Sequence, residues 1–178
     1  MKLWKNLLRQ AYVAATKSPD PSTQNGALIV YVPAVEMMPF QLGWHEVLAA
    51  DCNRLPEKVV DTPERWNNRS LKYKLVQHAE RNATETARRS KNVSHLNGLT
   101  MVCPWAACTD CAKEIIGTGI SRLVIHKQAH DRTPPESVWM EDIVVAHMML
   151  KEAGVEIIVF DGEVNGPTVR HSGQLWTP

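Results

Sequence analysis

The chain has 178 residues, of which 44% are hydrophobic, and its formal net charge at pH 7 is +1. This length is typical of one domain with room for a core, and we expect a single domain over 1–178 that ends in a surface tail from 161. The near-neutral charge argues against a polybasic arm or an acidic tail, so nucleic acid is not an expected partner. The longest apolar runs are strand-sized, far short of the roughly 20 residues that a membrane span needs. No export signal is recognisable, which makes the cytoplasm the expected location.

The first half of the chain predicts one helix and a pair of strands. Apolar residues recur at helical spacing over 2–17, and the prolines of "SPDPSTQNG" end that helix. The apolar run Gly26–Val32 predicts a buried strand, Val35–Pro39 a turn, and Phe40–Ala50 a second strand in a hairpin with the first. The polar, proline-marked stretch 51–74 predicts a long loop of functional importance.

The second half predicts strands that alternate with helices. A helix that starts near His78 is predicted next, with Leu75, Ala79, Ala83 and Ala87 on one stripe. The elements predicted after it are a strand at 99–103, a helix at 108–118, a strand at 121–126, a helix at 136–153 and a strand at 155–160. Such alternation indicates parallel strands covered by helices. We therefore predict an α/β fold, a three-layer α/β/α sandwich around a mixed sheet of about five strands.

Four cysteines are present: Cys52, Cys103, Cys108 and Cys111. In a chain of this length without an export signal, the C-x-x-C spacing of the last two favours a metal site or a redox pair over disulfides. Cys52 and Cys103 are interpreted as buried thiols.

His78 and Glu80 stand two residues apart. Inside a helix they would point in opposite directions, but at its first turn both can face one cavity. Cys108 and Cys111, three apart, share a face of the next predicted helix. One histidine and two cysteines make three zinc ligands, and a catalytic zinc site keeps its fourth position for water. A nearby carboxylate, Glu80, could then move protons. The competing interpretation is a structural zinc site.

The chain resembles the deoxycytidylate (dCMP) deaminase family. H-x-E followed by C-x-x-C is the signature of zinc deaminases. The segments "SPDPSTQNGALIV", "NRLP", "RSLKYKLVQHAERNA", "CPWAACTDCAKEIIGTGISRLVI" and "MMLKEAGVEI" also occur in that family's order, over about residues 18–160. The sequence departs from the family pattern at Ala107, where a proline is usual, at Asn25, and around Asn53.

The resemblance implies a cytidine deaminase-like fold and zinc-dependent hydrolysis of dCMP to dUMP and ammonia, which supplies thymidylate synthesis. It implies His78, Cys108 and Cys111 as ligands of one Zn²⁺ and Glu80 as the proton shuttle. Asn53 and the backbone of Ala79 are expected to border the substrate. A homo-oligomer and regulation by dCTP and dTTP are further implications.

Several alternatives stay open at this point. The substrate could be a 5-substituted dCMP, free cytidine, a purine nucleotide or a base in nucleic acid. Trp105 is expected to form a pocket wall, with the core as the alternative. His126 and His130 are interpreted as surface residues. The cations of the long loop are interpreted as solvated charges: Arg54, Lys58, Arg69 and Lys72. The remaining histidines are interpreted as ordinary: His45, His95, His147 and His171.

Overall fold

The protein is described by a computed structural model over residues 2–33 and 45–178. The predicted turn at 35–39 and the first part of the predicted strand 40–50 lie outside these residues. In the part of the chain that is described, no helix has the length and apolarity that crossing a bilayer requires.

A five-stranded mixed sheet forms the centre of the molecule, with strand order β2-β1-β3-β4-β5. Its strands are β1 (Gly26–Tyr31), β2 (Glu46–Cys52), β3 (Thr100–Val102), β4 (Arg122–His126) and β5 (Glu156–Phe160). β1 pairs antiparallel with both β2 and β3, whereas β3, β4 and β5 run parallel. The predicted mixed sheet, with an antiparallel N-terminal hairpin, is confirmed.

Seven helices surround the sheet in the described residues: α1 (Lys2–Ala15), α2 (Pro63–Asn67), α3 (Arg69–Leu75), α4 (Ala79–Lys91), α5 (Thr109–Thr118), α6 (Lys127–His130) and α7 (Val138–Glu152). The long helices α1, α5 and α7 match the predicted ones to within about two residues at each end, and α4 begins within one residue of its predicted start. Leu75, predicted to share the stripe of α4, belongs to α3 instead.

Helices cover both faces of the sheet because alternate strand residues point to opposite sides. On one face, α1 packs against Leu28, Val30 and Val102. On the other, α4, α5 and α7 pack against a second apolar cluster that includes Ile29 and Met101. The predicted α/β/α layering is therefore confirmed.

The predicted loop 51–74 is wrong in part, because α2 and α3 lie within it. Pro63 occupies the first turn of α2, where a missing N–H costs nothing. Asn68 caps α3 by accepting a hydrogen bond from Leu71 N. Trp66 is buried and anchors the segment. The helix-start residues Pro63 and Asn68 therefore favour helices in this segment, although its polar composition is typical of a loop.

The segment from residue 161 was predicted to be a surface tail. The structure shows that it is more than that. It forms a hairpin of β6 (Val169–His171) and β7 (Gln174–Trp176). Val164 and Val169 are fully buried in the cluster under α1. These two residues are therefore part of the core, and the segment adds a wall to the cavity described below.

Gly26 holds α1 close to the sheet. A Cβ at this position would lie 2.2 Å from Ala11 O and 2.5 Å from Ala15 N. We expect Gly26→Ala to lower the free energy of unfolding by about 3 kcal/mol, because the backbone of α1 must move. Gly117 in α5 has open space around it. Gly117→Ala is the matched control and should raise stability by about 0.5–1 kcal/mol. Urea unfolding of both variants tests this, and equal effects would contradict the packing argument.

Candidate active site

Two helix starts bring the predicted metal ligands together. His78 is the N-cap residue of α4 and Cys108 that of α5. The Nδ1 atom of His78 lies 3.4 Å from the Sγ of Cys108 and 3.5 Å from that of Cys111. All three donor atoms lie within 4.8 Å of one another. This close group of one nitrogen and two sulfurs fits the ligand chemistry of Zn²⁺.

Neighbouring residues hold both helix starts in place. The backbone of Gln77 pairs with that of Arg54, which ties the segment before α4 to the end of β2. Asn82 donates from its side chain to Cys52 O at 2.8 Å. The α5 start is held by Asp142 of α7, which accepts hydrogen bonds from both the backbone and the hydroxyl of Thr109. Asp142 could not be identified from sequence spacing.

Glu80 lies in the first turn of α4, beside the ligand group. Its side chain is 3% exposed. Its Oε2 atom is buried and has no hydrogen-bond partner among the described residues. Burial raises the pKa of the carboxyl above its usual value. A buried carboxylate oxygen without a partner is costly unless a ligand or water contacts it.

Contacts among His78, Cys108 and Cys111 determine the protonation state of each of the three side chains. Hydrogen bonds to Cys111 and His78 lower the pKa of the Cys108 thiol to about 4. Burial disfavours a charged His78 ring, but hydrogen bonding to Cys108 and the charge of Glu80 raise its pKa to about 9. The bond with Cys108 and burial raise the pKa of Cys111 well above the ordinary thiol value. Without metal, the group is therefore an imidazolium–thiolate pair with one neutral thiol.

Metal uptake should consequently release two protons between about pH 5 and pH 8, one from His78 and one from Cys111, because metal ligands must be deprotonated. Cys108 is already a thiolate there. The apparent affinity for Zn²⁺ should then rise about 100-fold per pH unit. Calorimetry in buffers of different ionisation enthalpy counts the protons. An affinity that is independent of pH would contradict these protonation states.

A cavity of about 340 Å³ opens in front of Glu80 and the ligand group. This volume is within the range of small-molecule sites. The three predicted substrate contacts, Asn53, Ala79 and Trp105, all line it. Trp105 is thus a pocket wall. Asn53 is buried, and its amide binds the loop before β1: the oxygen accepts from Asn25 N at 2.7 Å and the nitrogen donates to Thr23 O at 2.9 Å.

One predicted surface charge is instead a buried part of the cavity wall. The Nζ of Lys72 lies 3.1 Å from both carboxylate oxygens of Asp20, and both side chains are almost fully buried. The interpretation of Lys72 as a solvated charge is wrong, since the local sequence does not show Asp20 as its partner. Arg69, also on the cavity wall, is exposed and lies over the Tyr73 ring at 5.5 Å.

Two of the other histidines, His126 and His171, lie in places that the sequence did not predict. His126 is fully buried between Tyr12 and Gly162, so its interpretation as a surface residue is wrong. His171 lines the cavity, although it was interpreted as ordinary. Cys52 and Cys103 are buried thiols, as predicted. The Sγ of Cys103 accepts a hydrogen bond from the Asn25 side chain at 3.2 Å.

Comparison with known proteins agrees with this geometry. Residues 1–127, which include the three ligand residues and Glu80, match the family described as "Cytidine and deoxycytidylate deaminase zinc-binding region". An uncharacterized deaminase encoded in the luxG 3′ region of Aliivibrio fischeri is 31% identical over 86% of this chain and 90% of its own. Mouse deoxycytidylate deaminase is 29% identical over 82% of this chain and 72% of its own.

Solved structures show the same fold. The dCMP deaminase of cyanophage S-TIM5, in complex with dCMP and dUMP, superposes with a TM-score of 0.59 at 18% identity, over 89% of this chain and 97% of its own. The match of 127 residues to one family model, together with the His–Cys–Cys group, settles the family. The chain belongs to the cytidine and deoxycytidylate deaminase zinc-binding family, whose members are hydrolytic deaminases.

Proposed function

We propose that this protein deaminates dCMP to dUMP and ammonia, with Zn²⁺ bound by His78, Cys108 and Cys111. The observation that carries the proposal is the buried Glu80 carboxylate, whose Oε2 has no hydrogen-bond partner among the described residues; it lies beside these three residues, in a cavity wall that also includes His78 and Cys108. A structural zinc site would have no use for such a carboxylate.

Bound zinc would supply a nucleophile near neutral pH by lowering the pKa of a coordinated water. Glu80 accepts the proton of the attacking water and passes it to N3 of the cytosine ring. It then takes the proton of the hydroxyl that has been added at C4 and delivers it to the amino group, so that the C4–N bond breaks, ammonia leaves and the C4 oxygen becomes a carbonyl. Burial raises the pKa of Glu80 above its usual value, which favours a role as a group that both accepts and donates a proton.

The other cavity residues orient the base. The backbone of Ala79, at the start of α4, is placed to meet the amino-bearing edge. Trp105 forms a flat wall for a ring. Asn53 holds the loop 20–25 through its side-chain amide and borders the substrate. Their positions on the cavity wall support these three roles.

A nucleotide suits the charge of the cavity better than a nucleoside does. Asp20 neutralises Lys72, so the outer wall keeps the positive charge of Arg69. A 5′-phosphate is the complement of such a wall. The mouse relative, which is named for deoxycytidylate, supports the same substrate. Assembly into a homo-oligomer and a response to dCTP and dTTP stay predictions from the family resemblance.

Ammonia release by the zinc-loaded protein tests the proposal. The panel is dCMP, 5-methyl-dCMP, CMP, deoxycytidine, dAMP, dGMP and a short single-stranded DNA. We expect dCMP to react with the highest kcat/KM and deoxycytidine poorly, because the phosphate is lost. Preferred turnover of a purine nucleotide or of DNA would overturn the substrate while leaving the metal site intact.

A further inference from the structure

The β6–β7 hairpin is built onto the loop that precedes β1. Four hydrogen bonds join the two segments: Gln24 N to Arg170 O at 2.9 Å, Arg170 N to Gln24 Oε1 at 3.1 Å, Ser172 N to Thr23 Oγ1 at 3.2 Å, and Gly173 N to Ser22 O at 2.8 Å. The same loop carries Asp20, Thr23 and Asn25, all on the cavity wall. The hairpin is therefore fixed relative to the candidate active site.

In the β6–β7 hairpin, His171 is the residue whose aromatic ring could contact a substrate. Its imidazole stacks on Trp105 with a centroid distance of 4.2 Å and an interplanar angle of 17°, and both side chains line the cavity. Within the described residues neither ring nitrogen of His171 takes part in a hydrogen bond, although the residue is half-buried. A polar group in this setting is available for a ligand.

The surroundings of His171 are positive. Arg132 lies 4.6 Å above the Trp176 ring of the same hairpin, and no ion pair involves it in the described chain. Burial lowers the pKa of His171, and the charge of Arg132 lowers it further, which places the guanidinium near the imidazole. This end of the cavity therefore favours an anion.

The position of His171 also indicates which part of a substrate this side chain can contact. The reacting edge of the base has to face Glu80 and the metal ligands. The His171 imidazole stacks on the ring of Trp105, which comes three residues before the metal-ligand residue Cys108. With the base at the metal end, the sugar and phosphate extend along the wall that His171 and Thr23 form.

We propose that His171 donates a hydrogen bond to the 5′-phosphate of the nucleotide and so makes the enzyme select nucleotides over nucleosides. The proposal rests on the proposed function and adds a specificity-determining residue to it. It also explains why the hairpin, which lies outside the matched residues 1–127, belongs to the substrate site.

Two variants separate hydrogen bonding from stacking. His171→Phe keeps an aromatic ring on Trp105 but loses the donor, and His171→Ala loses both. For each we would measure kcat/KM on dCMP and deoxycytidine, and the affinities for dUMP and deoxyuridine by calorimetry. His95→Phe, at an exposed loop position off the cavity wall, is the matched control. Thermal unfolding reports whether the hairpin stays folded.

We expect both His171 variants to lose about 10–100-fold in kcat/KM on dCMP and in dUMP affinity, the size of one charge-assisted hydrogen bond. Values for the two nucleosides should stay within about twofold of wild type, and His95→Phe should match wild type throughout.

Wild-type dUMP affinity in His171→Phe would overturn the inference, as would equal losses on nucleotide and nucleoside. A wild-type enzyme that releases ammonia from neither cytosine substrate would instead overturn the proposed function. The dUMP and deoxyuridine affinities then still decide whether His171 binds a phosphate.

Discussion

Replacing Glu80 by glutamine should lower kcat on dCMP by at least about 10³-fold, within the range that a positioned general acid–base supplies. The amide has the shape of the carboxylate but can neither accept nor deliver the proton. Zinc content should stay at one ion per chain, because Glu80 is not among the three ligand residues. Metal analysis and ammonia release on the same preparation measure both quantities.

Glu114→Gln is the matched control for this variant. Glu114 is a half-buried residue of α5 whose carboxylate is 3.7 Å from Arg88, and it does not line the cavity. The control should keep wild-type kcat, since Glu114 does not line the cavity and its partly exposed ion pair contributes little to stability. A Glu80→Gln enzyme with wild-type turnover would remove Glu80 from the chemistry. Loss of zinc in this variant would make Glu80 a ligand instead.

Replacing Cys111 by serine should remove both zinc and stability. Cys111 is fully buried in the first turn of α5, and a hydroxyl is a poor substitute for a thiolate ligand. When zinc exceeds its dissociation constant 100- to 1,000-fold, the bound ion stabilises the native state by about 2.7–4.1 kcal/mol. We expect the variant to lose that amount and to unfold at the temperature of the chelator-treated wild type.

Cys52→Ala controls for the loss of a buried thiol. Cys52 is also buried but lies at the end of β2, outside the ligand group. This variant should keep one zinc ion and lose only about 1 kcal/mol, because a small side chain leaves a small cavity. If Cys111→Ser retained stoichiometric zinc, the three-ligand site would be wrong.

Much of the active centre could be predicted because its residues come in short, rigid spacings. His78 and Glu80 face one cavity only when a helix begins between them, and α4 begins at Ala79. Cys108 and Cys111 share the first turn of α5 for the same reason. Hydrophobic periodicity was enough to predict the sheet and the long helices.

What could not be predicted depends on contacts between distant segments. Lys72 pairs with Asp20 across 52 positions, and nothing in the local sequence marks that partnership. His171 stacks on Trp105 from a hairpin near the C-terminus. The short helices α2 and α3 are a different case, since Pro63 and Asn68 were visible start signals within a polar segment.

The most direct test of the central claim is to incubate zinc-loaded protein with dCMP in ¹⁸O-labelled water and to analyse the product by mass spectrometry. The account predicts dUMP with one labelled oxygen at C4 for each ammonia released, and neither product from Glu80→Gln. Absence of dUMP with the wild-type protein, or labelled dUMP formed equally fast by Glu80→Gln, would contradict it.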